Sequence, residues 1–507
     1  MITSNYHGPR SGQTNLRSST VDQGARPPDN LIAATRKSAS DQADETRLAW
    51  PVKVFLAGLL VPWVLPIGPL NLSVYRIILL LALLPCIVKW SQGKAGKKRV
   101  ADFGLILFCL WAAISFVVVQ GIDQAIEPSG ILFIETIGSY LLARVCIRNA
   151  DDFRNMVVFV AKLIICLLPF TVYEWVTGTN LLLLAFGSVF RTEAITWMAP
   201  RMGFSRVQGP FNHSILFGTF CGSMLALTYL ATKGKVSGIS RGVLTGLVGF
   251  SAFLSMSSAP LAGVVFQIAL LQWNKVLGGF TARWKLLWAV AFVGYLIVEL
   301  GSNQTPAQFY ISHFTFDQQT GWYRLWIWEY GSASVANHPI FGIGLGDWAR
   351  PQWMPGDSVD NFWLLMAMRH GVPGFLFMVL SLLSIWLSVA KKTDIDPDID
   401  GCRTSYLICM VALVFVGSTV HFWVAAYVWF FFLVGSGVWI LDCSSSQQSE
   451  RHNGNVRKPR ARYRVVQGES QARSACGAGT NLGLGSPPLR QKAAAPMTLI
   501  SISLKYS

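Results

Sequence analysis

The chain has 507 residues, of which 52% are hydrophobic and only 13% charged, with 19 Trp and a formal net charge of +16. So apolar a composition at this length excludes a soluble enzyme and a disordered chain, and it makes the bilayer the working solvent. Much of the positive charge sits in two tails without a nucleic-acid-binding motif, so membrane lipid rather than nucleic acid is the expected partner of those tails.

Residues 1–50 are polar and lack apolar periodicity, and they read as a disordered tail on the inner side of the membrane. Apolar segments follow at 52–70, 72–89, 100–120, 128–146, 153–176, 211–231, 239–257, 259–273, 284–300, 371–390, 404–420 and 421–441. Each is set against the roughly 20 residues that a helix needs to cross the hydrocarbon core. They give an all-α, polytopic membrane protein of about twelve transmembrane helices, with the membrane domain over 51–442 and a second disordered basic tail over 443–507. Drawn with both termini inside, this layout leaves 34 of the 42 Lys and Arg on the inner side and five outside. The positive-inside rule is obeyed at every turn. The stretch "SMSSAP" between the seventh and eighth segments is a thin turn.

Two outer loops are long, at about 177–210 and about 301–360. Loops of that length are usually functional, and these carry Trp197, Trp322, Trp326, Trp328, Trp348 and Trp353, aromatics suited to a membrane interface. Trp322, Leu325, Trp326 and Glu329 recur at helical spacing, which predicts a short helix along the outer surface ending before Pro339.

The five outside arginines, Arg191, Arg201, Arg206, Arg324 and Arg350, all fall in these two loops. A guanidinium stays charged and presents a planar fork matched to phosphate oxygens, so an outward, cation-lined cavity suits a lipid-linked phosphate or diphosphate. The plainer alternative pairs them with Glu193, Asp317, Glu329, Asp347 or Asp357. Histidines His213, His313, His338, His370 and His421 also lie near the outer side, without metal-ligand spacing, so no metal and no cofactor is expected. Among them, His213 and His338 are the least easily explained as interfacial hydrogen bonders. "GIGLG" (Gly342 to Gly346) follows no buried strand and reads as a tight turn rather than a dinucleotide loop, and the serines of "SMSSAP" lack a nucleophile-elbow context. Within "VDNFWLLMAMRHGVPGFLFMVL", Asp360, Asn361, Arg369 and His370 stand in or beside an apolar run, where an ionisable group costs about 2.5–3.5 kcal/mol at the bilayer centre.

Several of these stretches together resemble the O-antigen ligase and O-antigen or exopolysaccharide polymerase family of bacterial envelopes. That family's loop signature is a His, then Asn, Ser or Gln, nine residues, Gly, two residues, and Gly, Thr or Tyr. Asn361, Gly371 and Gly374 fit it, with Asp360 where the His would stand. "NHPIFGIGLGDW" resembles the family's His-Pro-apolar-Gly-x-Gly element, which brings in His338, with Arg324 placed like the arginine before it. "RVQGPFNHSILFG" is similar to the Arg-x-x-Gly-x-Phe-x-His entry to a middle helix, carrying Arg206, Gly209 and His213.

The resemblance implies a GT-C-like glycosyltransferase of the bacterial inner membrane, acting on its outer, periplasmic side in polysaccharide assembly. It implies a glycan donor carried on undecaprenyl diphosphate, an acceptor that is either a growing glycan or lipid A-core, inversion at the anomeric carbon, and no metal. Asp360, Arg206, Arg324 and His338 are the catalytic candidates; His213, Arg191, Arg201, Arg369 and Asn361 are the substrate-binding ones. Asp360 would take the acceptor's proton where the family has histidine, or else cap the helix that begins near Asn361. A transporter or a flippase for lipid-linked oligosaccharide shares the twelve-span layout and is the rival reading.

Overall fold

The computed structural model describes residues 48–443 apart from 68–69, 304, 306–307, 309–311, 313–317, 355 and 394. The tail regions 1–47 and 444–507, His313 and Asp317 lie outside the described residues. The chain opens with α1 (Trp50–Gly58) and a hairpin of β1 (Val64–Ile67) and β2 (Leu70–Ser73). Then come α2 (Val74–Ser91), α3 (Val100–Gln120), α4 (Ile122–Cys146), α5 (Ala150–Thr177), α6 (Leu181–Gly187), α7 (Ser214–Ala231), α8 (Gly238–Leu254), α9 (Ser258–Val276) and α10 (Arg283–Gly301). After α11 (Gln318–Asn337), the chain closes with α12 (Phe362–Lys391), α13 (Pro397–Gly417) and α14 (Ala425–Ser436). Eight of these, α2–α5, α7, α10, α12 and α13, are long and apolar enough to cross a membrane, which fits a multi-pass membrane protein.

The first expected span, 52–70, is where the structure departs most from the sequence reading. Only nine residues are helical, and the chain continues as an antiparallel hairpin pairing Leu65 with Leu72. The reason is local. Pro62 has no N–H to give the Gly58 carbonyl and Pro66 repeats the loss one turn on, so two successive turns would each lack a bond, whereas α2, α4, α5 and α12 each continue through a single interior proline. Mean apolarity does not register that defect. The hairpin is anchored from outside by the Val64 N–H, which donates to the Arg191 carbonyl at 2.8 Å.

The expected segment 371–390 is the second half of the 30-residue α12, which is broken at Gly371 (φ 69°, ψ 177°). The stretch "HPIFGIGLG" repairs this break. Val372 N–H donates to the Pro339 carbonyl at 2.7 Å, while Ile343 and Gly344 N–H donate to the carbonyls of Met368 and Arg369 at 2.8 and 3.0 Å. Trp111 Nε1 donates to the His370 carbonyl at 3.0 Å. The tight turn expected for "GIGLG" is therefore a clasp that satisfies the backbone groups freed by the kink, as a buried break requires. A Cβ at Gly371 would lie 2.0 Å from the Ile340 carbonyl oxygen in a left-handed conformation. Gly371→Ala is expected to lower the thermal midpoint of the purified protein, because a non-glycine left-handed residue costs about 1–2 kcal/mol even without a clash. Gly246→Ala, inside α8 with nothing within 4 Å, is expected to leave the midpoint unchanged.

The helix expected from Trp322 is present as α11 and stops before Pro339 as predicted. Its Gly331 packs against Leu364 and Met368 of α12. The following loop folds back on it: Trp348 and Met354 are buried, Tyr323 Oη donates to the Gly356 carbonyl at 3.0 Å, and Trp348 Nε1 donates to the Asp357 carbonyl at 2.9 Å. This places Arg324 of α11 and Asp360, at the head of α12, toward the same space.

Candidate functional site

That space is a cavity of about 180 Å³ lined by Arg201, Arg206, His213, Ile215, Ser257, Ser258, Ala259, Arg324 and Asp360. Five of the sequence candidates thus meet although they lie on separate stretches of a 160-residue span of chain, roughly. The starts of α7, α9 and α12 converge on it, through His213, Ser258 and Asp360 respectively. Helix N-termini carry partial positive charge and unpaired N–H groups, so all three favour a negative occupant. Ser257, at the N-cap of α9, makes no capping bond there; its hydroxyl instead accepts from Arg206 Nη2 at 2.9 Å.

Each basic group is positioned by its own local structure. Arg201 sits in a turn closed by its backbone bonds to Phe204, with Met202 and Gly203 at positive φ, and its Nη1 donates to the Met256 carbonyl at 2.7 Å. Among the described residues, neither Arg206 nor Arg324 forms an ion pair within 4.0 Å. Among the described residues the buried Nε of each finds no hydrogen-bond partner, an expensive state for a charged donor that a bound anion would relieve. Burial, and then the neighbouring Arg201, push Arg206 down to about 10, which still leaves it cationic at neutral pH.

His213 caps α7 by accepting the Ile215 N–H on Nδ1 at 3.1 Å. Burial, and then Arg206, push it down to about 4, so the ring is neutral near pH 7. A neutral imidazole accepting on Nδ1 carries its proton on Nε2, which makes His213 an N–H donor rather than a base. Burial raises the Asp360 carboxyl above the usual carboxylate range, against smaller downward pulls from Arg324 and from the Ser358 hydroxyl, which donates to Oδ1 at 3.3 Å. Asp360 does not cap α12. That role belongs to Asn361, whose Oδ1 accepts the Leu364 N–H at 3.0 Å. The cap alternative for Asp360 is thereby corrected, and Asn361, whose side-chain oxygen is committed to the helix, is not among the residues lining the cavity.

Three further candidates stand away from the cavity. His338 is exposed at the end of α11, where its carbonyl accepts the Gly342 N–H at 3.1 Å. Arg191 flanks the β1 edge. Arg369 lies two turns into α12, its carbonyl held by Ser115 Oγ at 3.2 Å and by Gly344, while His370 is wedged edge-on between Phe108 and Phe116. Proximity in sequence to the clasp explains the positions of His338 and Arg369. Arg350, which pairs with Asp347 and lies over the Trp348 ring, follows the plainer reading of the outside arginines. The sequence reading missed Ser257, Ser258 and the Met256 carbonyl. Their signal was the run of serines in "SMSSAP", a polar interruption between two apolar helices, set aside because it resembled no nucleophile motif.

Three guanidiniums, a neutral N–H donor and an open helix N-terminus around a single carboxylate give the cavity a lining whose charge suits an anion, with one group beside it able to accept a proton. Comparison with protein-family models and with curated proteins finds no match for the chain.

Proposed function

We propose that the chain is an inverting, metal-independent membrane glycosyltransferase that extends or transfers a glycan carried on undecaprenyl diphosphate, as a polysaccharide polymerase or an O-antigen ligase. The observation that carries this reading is the meeting of Arg206, Arg324 and Asp360 in one cavity, the three residues for which the resemblance implied diphosphate and proton-transfer roles. In this reading the protein is a GT-C-like polytopic protein of the bacterial inner membrane. Its crossings number about twelve, both termini are inside, and the cavity opens outward.

The reaction balances as follows. An acceptor hydroxyl oxygen attacks the anomeric carbon of the donor sugar, forming the new C–O bond from the face opposite the leaving group. The bond from that carbon to the diphosphate oxygen breaks, and its electron pair leaves with undecaprenyl diphosphate. The acceptor's proton passes to the Asp360 carboxylate. Arg206 and Arg324 meet the charge that grows on the departing diphosphate, Arg201 adds to the field, and His213 donates from Nε2 to a substrate oxygen.

The test is the purified protein in liposomes with an undecaprenyl-diphosphate-linked oligosaccharide and a second glycan as acceptor, with and without EDTA. A new glycosidic bond with release of undecaprenyl diphosphate, insensitive to EDTA, is expected. Movement of intact lipid-linked glycan across the bilayer without bond formation would make the protein a flippase instead. In cells, cysteines introduced at Ser302 and Gly356 are expected to react with an impermeant thiol reagent added outside, and one at Ser237 is not; the reverse pattern would overturn the outward-facing cavity.

A further inference from the structure

Glu174, in the last turn of α5, is buried and does not line the cavity. A carboxylate in a membrane-length helix is costly unless it is fully engaged, and it is normally retained for a function. Its partners are not cationic: among the described residues it forms no ion pair. Instead its two oxygens accept two successive backbone donors, Gln208 N–H on Oε1 at 2.8 Å and Gly209 N–H on Oε2 at 3.0 Å. Those two peptides lie between Arg206 and His213, the two residues that this segment sends into the cavity.

The rest of the segment is held as tightly. Val207 N–H donates to the Leu254 carbonyl at 3.1 Å and Asn180 Nδ2 to the Gly209 carbonyl at 2.8 Å. The Gln208 side chain accepts from Thr196 N–H at 3.1 Å and donates to the Ala194 carbonyl at 3.0 Å. Gly209 adopts φ 57°, which turns the chain so that both N–H groups face one carboxylate. Two parallel donors need two acceptor oxygens, which a carboxylate has and an amide lacks; a glutamine would bring one NH₂ against an N–H.

We infer that Glu174 is a positioning residue for the transfer reaction, fixing the 206–213 segment so that the Arg206 fork meets the diphosphate. This rests on the glycosyl-transfer reading. A carboxylate that holds a segment in register acts on catalysis only through what the segment presents, so its effect is bound to Arg206 and His213 and is independent of Arg324, which α11 carries. Misplacement of a positioned group by about 1 Å can cost on the order of 10²-fold in rate.

The experiment is a pair of double-mutant cycles on the full-length protein in liposomes with the lipid-linked oligosaccharide donor. Glu174→Gln alone is expected to lower kcat about 10–100-fold. Added to Arg206→Lys it should cost clearly less than it does alone, leaving only the loss that runs through His213, whereas added to Arg324→Lys it should multiply the loss in full. Glu174→Asp, which keeps both acceptor oxygens, should recover part of the rate. Equal multiplication in both backgrounds, or an unchanged kcat for Glu174→Gln, would overturn the inference while wild-type activity left the glycosyl-transfer reading standing. Failure of both Glu174 variants to accumulate would make it a folding residue and overturn the inference as well. An inactive wild-type protein would instead sink the reading on which it rests.

Discussion

Arg206→Lys is expected to reduce glycan transfer by about 10²–10³-fold, the usual cost of losing one preorganised donor to a developing anion, without reducing the amount of inserted protein. The substitution keeps a positive charge but removes the planar fork, whose Nε–H has no protein partner and whose Nη2 rests on Ser257. It also brings in a more easily neutralised group. The burial and the Arg201 charge that push Arg206 down to about 10 would act equally on a lysine, whose ordinary pKa is about two units lower than arginine's. The variant is therefore expected to lose further activity as pH rises above neutrality, where the wild type does not. Arg350→Lys is the control: that side chain is already paired with Asp347 outside the cavity, so near-normal transfer is expected. Matching rates for the two variants, measured by release of undecaprenyl diphosphate, would remove Arg206 from the donor site.

The sequence carried the site better than it carried the path of the chain. Arg206, Arg324 and Asp360 were legible because charge in an apolar chain is conspicuous, and because the stretches that carry them resemble a family pattern, from which Asp360 departs. Their convergence was not, since it depends on α11 packing across α12 through Gly331 and on the loop tied down by Tyr323 and Trp348. Spans were legible wherever apolar length and helical capacity coincide. At 52–70 they do not, because apolarity is additive along a window whereas the missing N–H groups of Pro62 and Pro66 fall on successive turns. The same gap explains Asn361. Asp and Asn are both good caps, and only backbone geometry decides which of two adjacent residues takes the Leu364 N–H. Arg369 and His370 show a related gap. Their side-chain chemistry drew attention, while the structure uses their carbonyls, which Ser115 and Trp111 hold at the kink.

Asp360→Asn is expected to give a normally abundant, correctly inserted protein that transfers glycan about 10²–10⁴-fold more slowly, the range for loss of a positioned general base. The structure makes this substitution a clean one. Because Asn361 supplies the cap of α12, no capping bond is lost at position 360, and an amide oxygen can still accept from the Ser358 hydroxyl. The pH dependence separates the base from a merely polar group. Burial raises the proton affinity of Asp360, so the carboxylate is lost to protonation at a higher pH than an exposed aspartate, whose ordinary value is about 3.9. The wild-type rate should accordingly fall on acidification along a limb that lies above that value and is missing from Asp360→Asn. A limb produced instead by His213, which is pushed down to about 4 and whose Nδ1 is occupied by the Ile215 N–H, would persist in Asp360→Asn. Asp360→His, which installs the residue of the resembled signature, should recover part of the rate, with an acid limb that the same burial and the neighbouring Arg324 hold below the ordinary histidine value of about 6.5. An Asp360→Asn protein with the wild-type rate and the wild-type acid limb would show that the acceptor's proton leaves by another route.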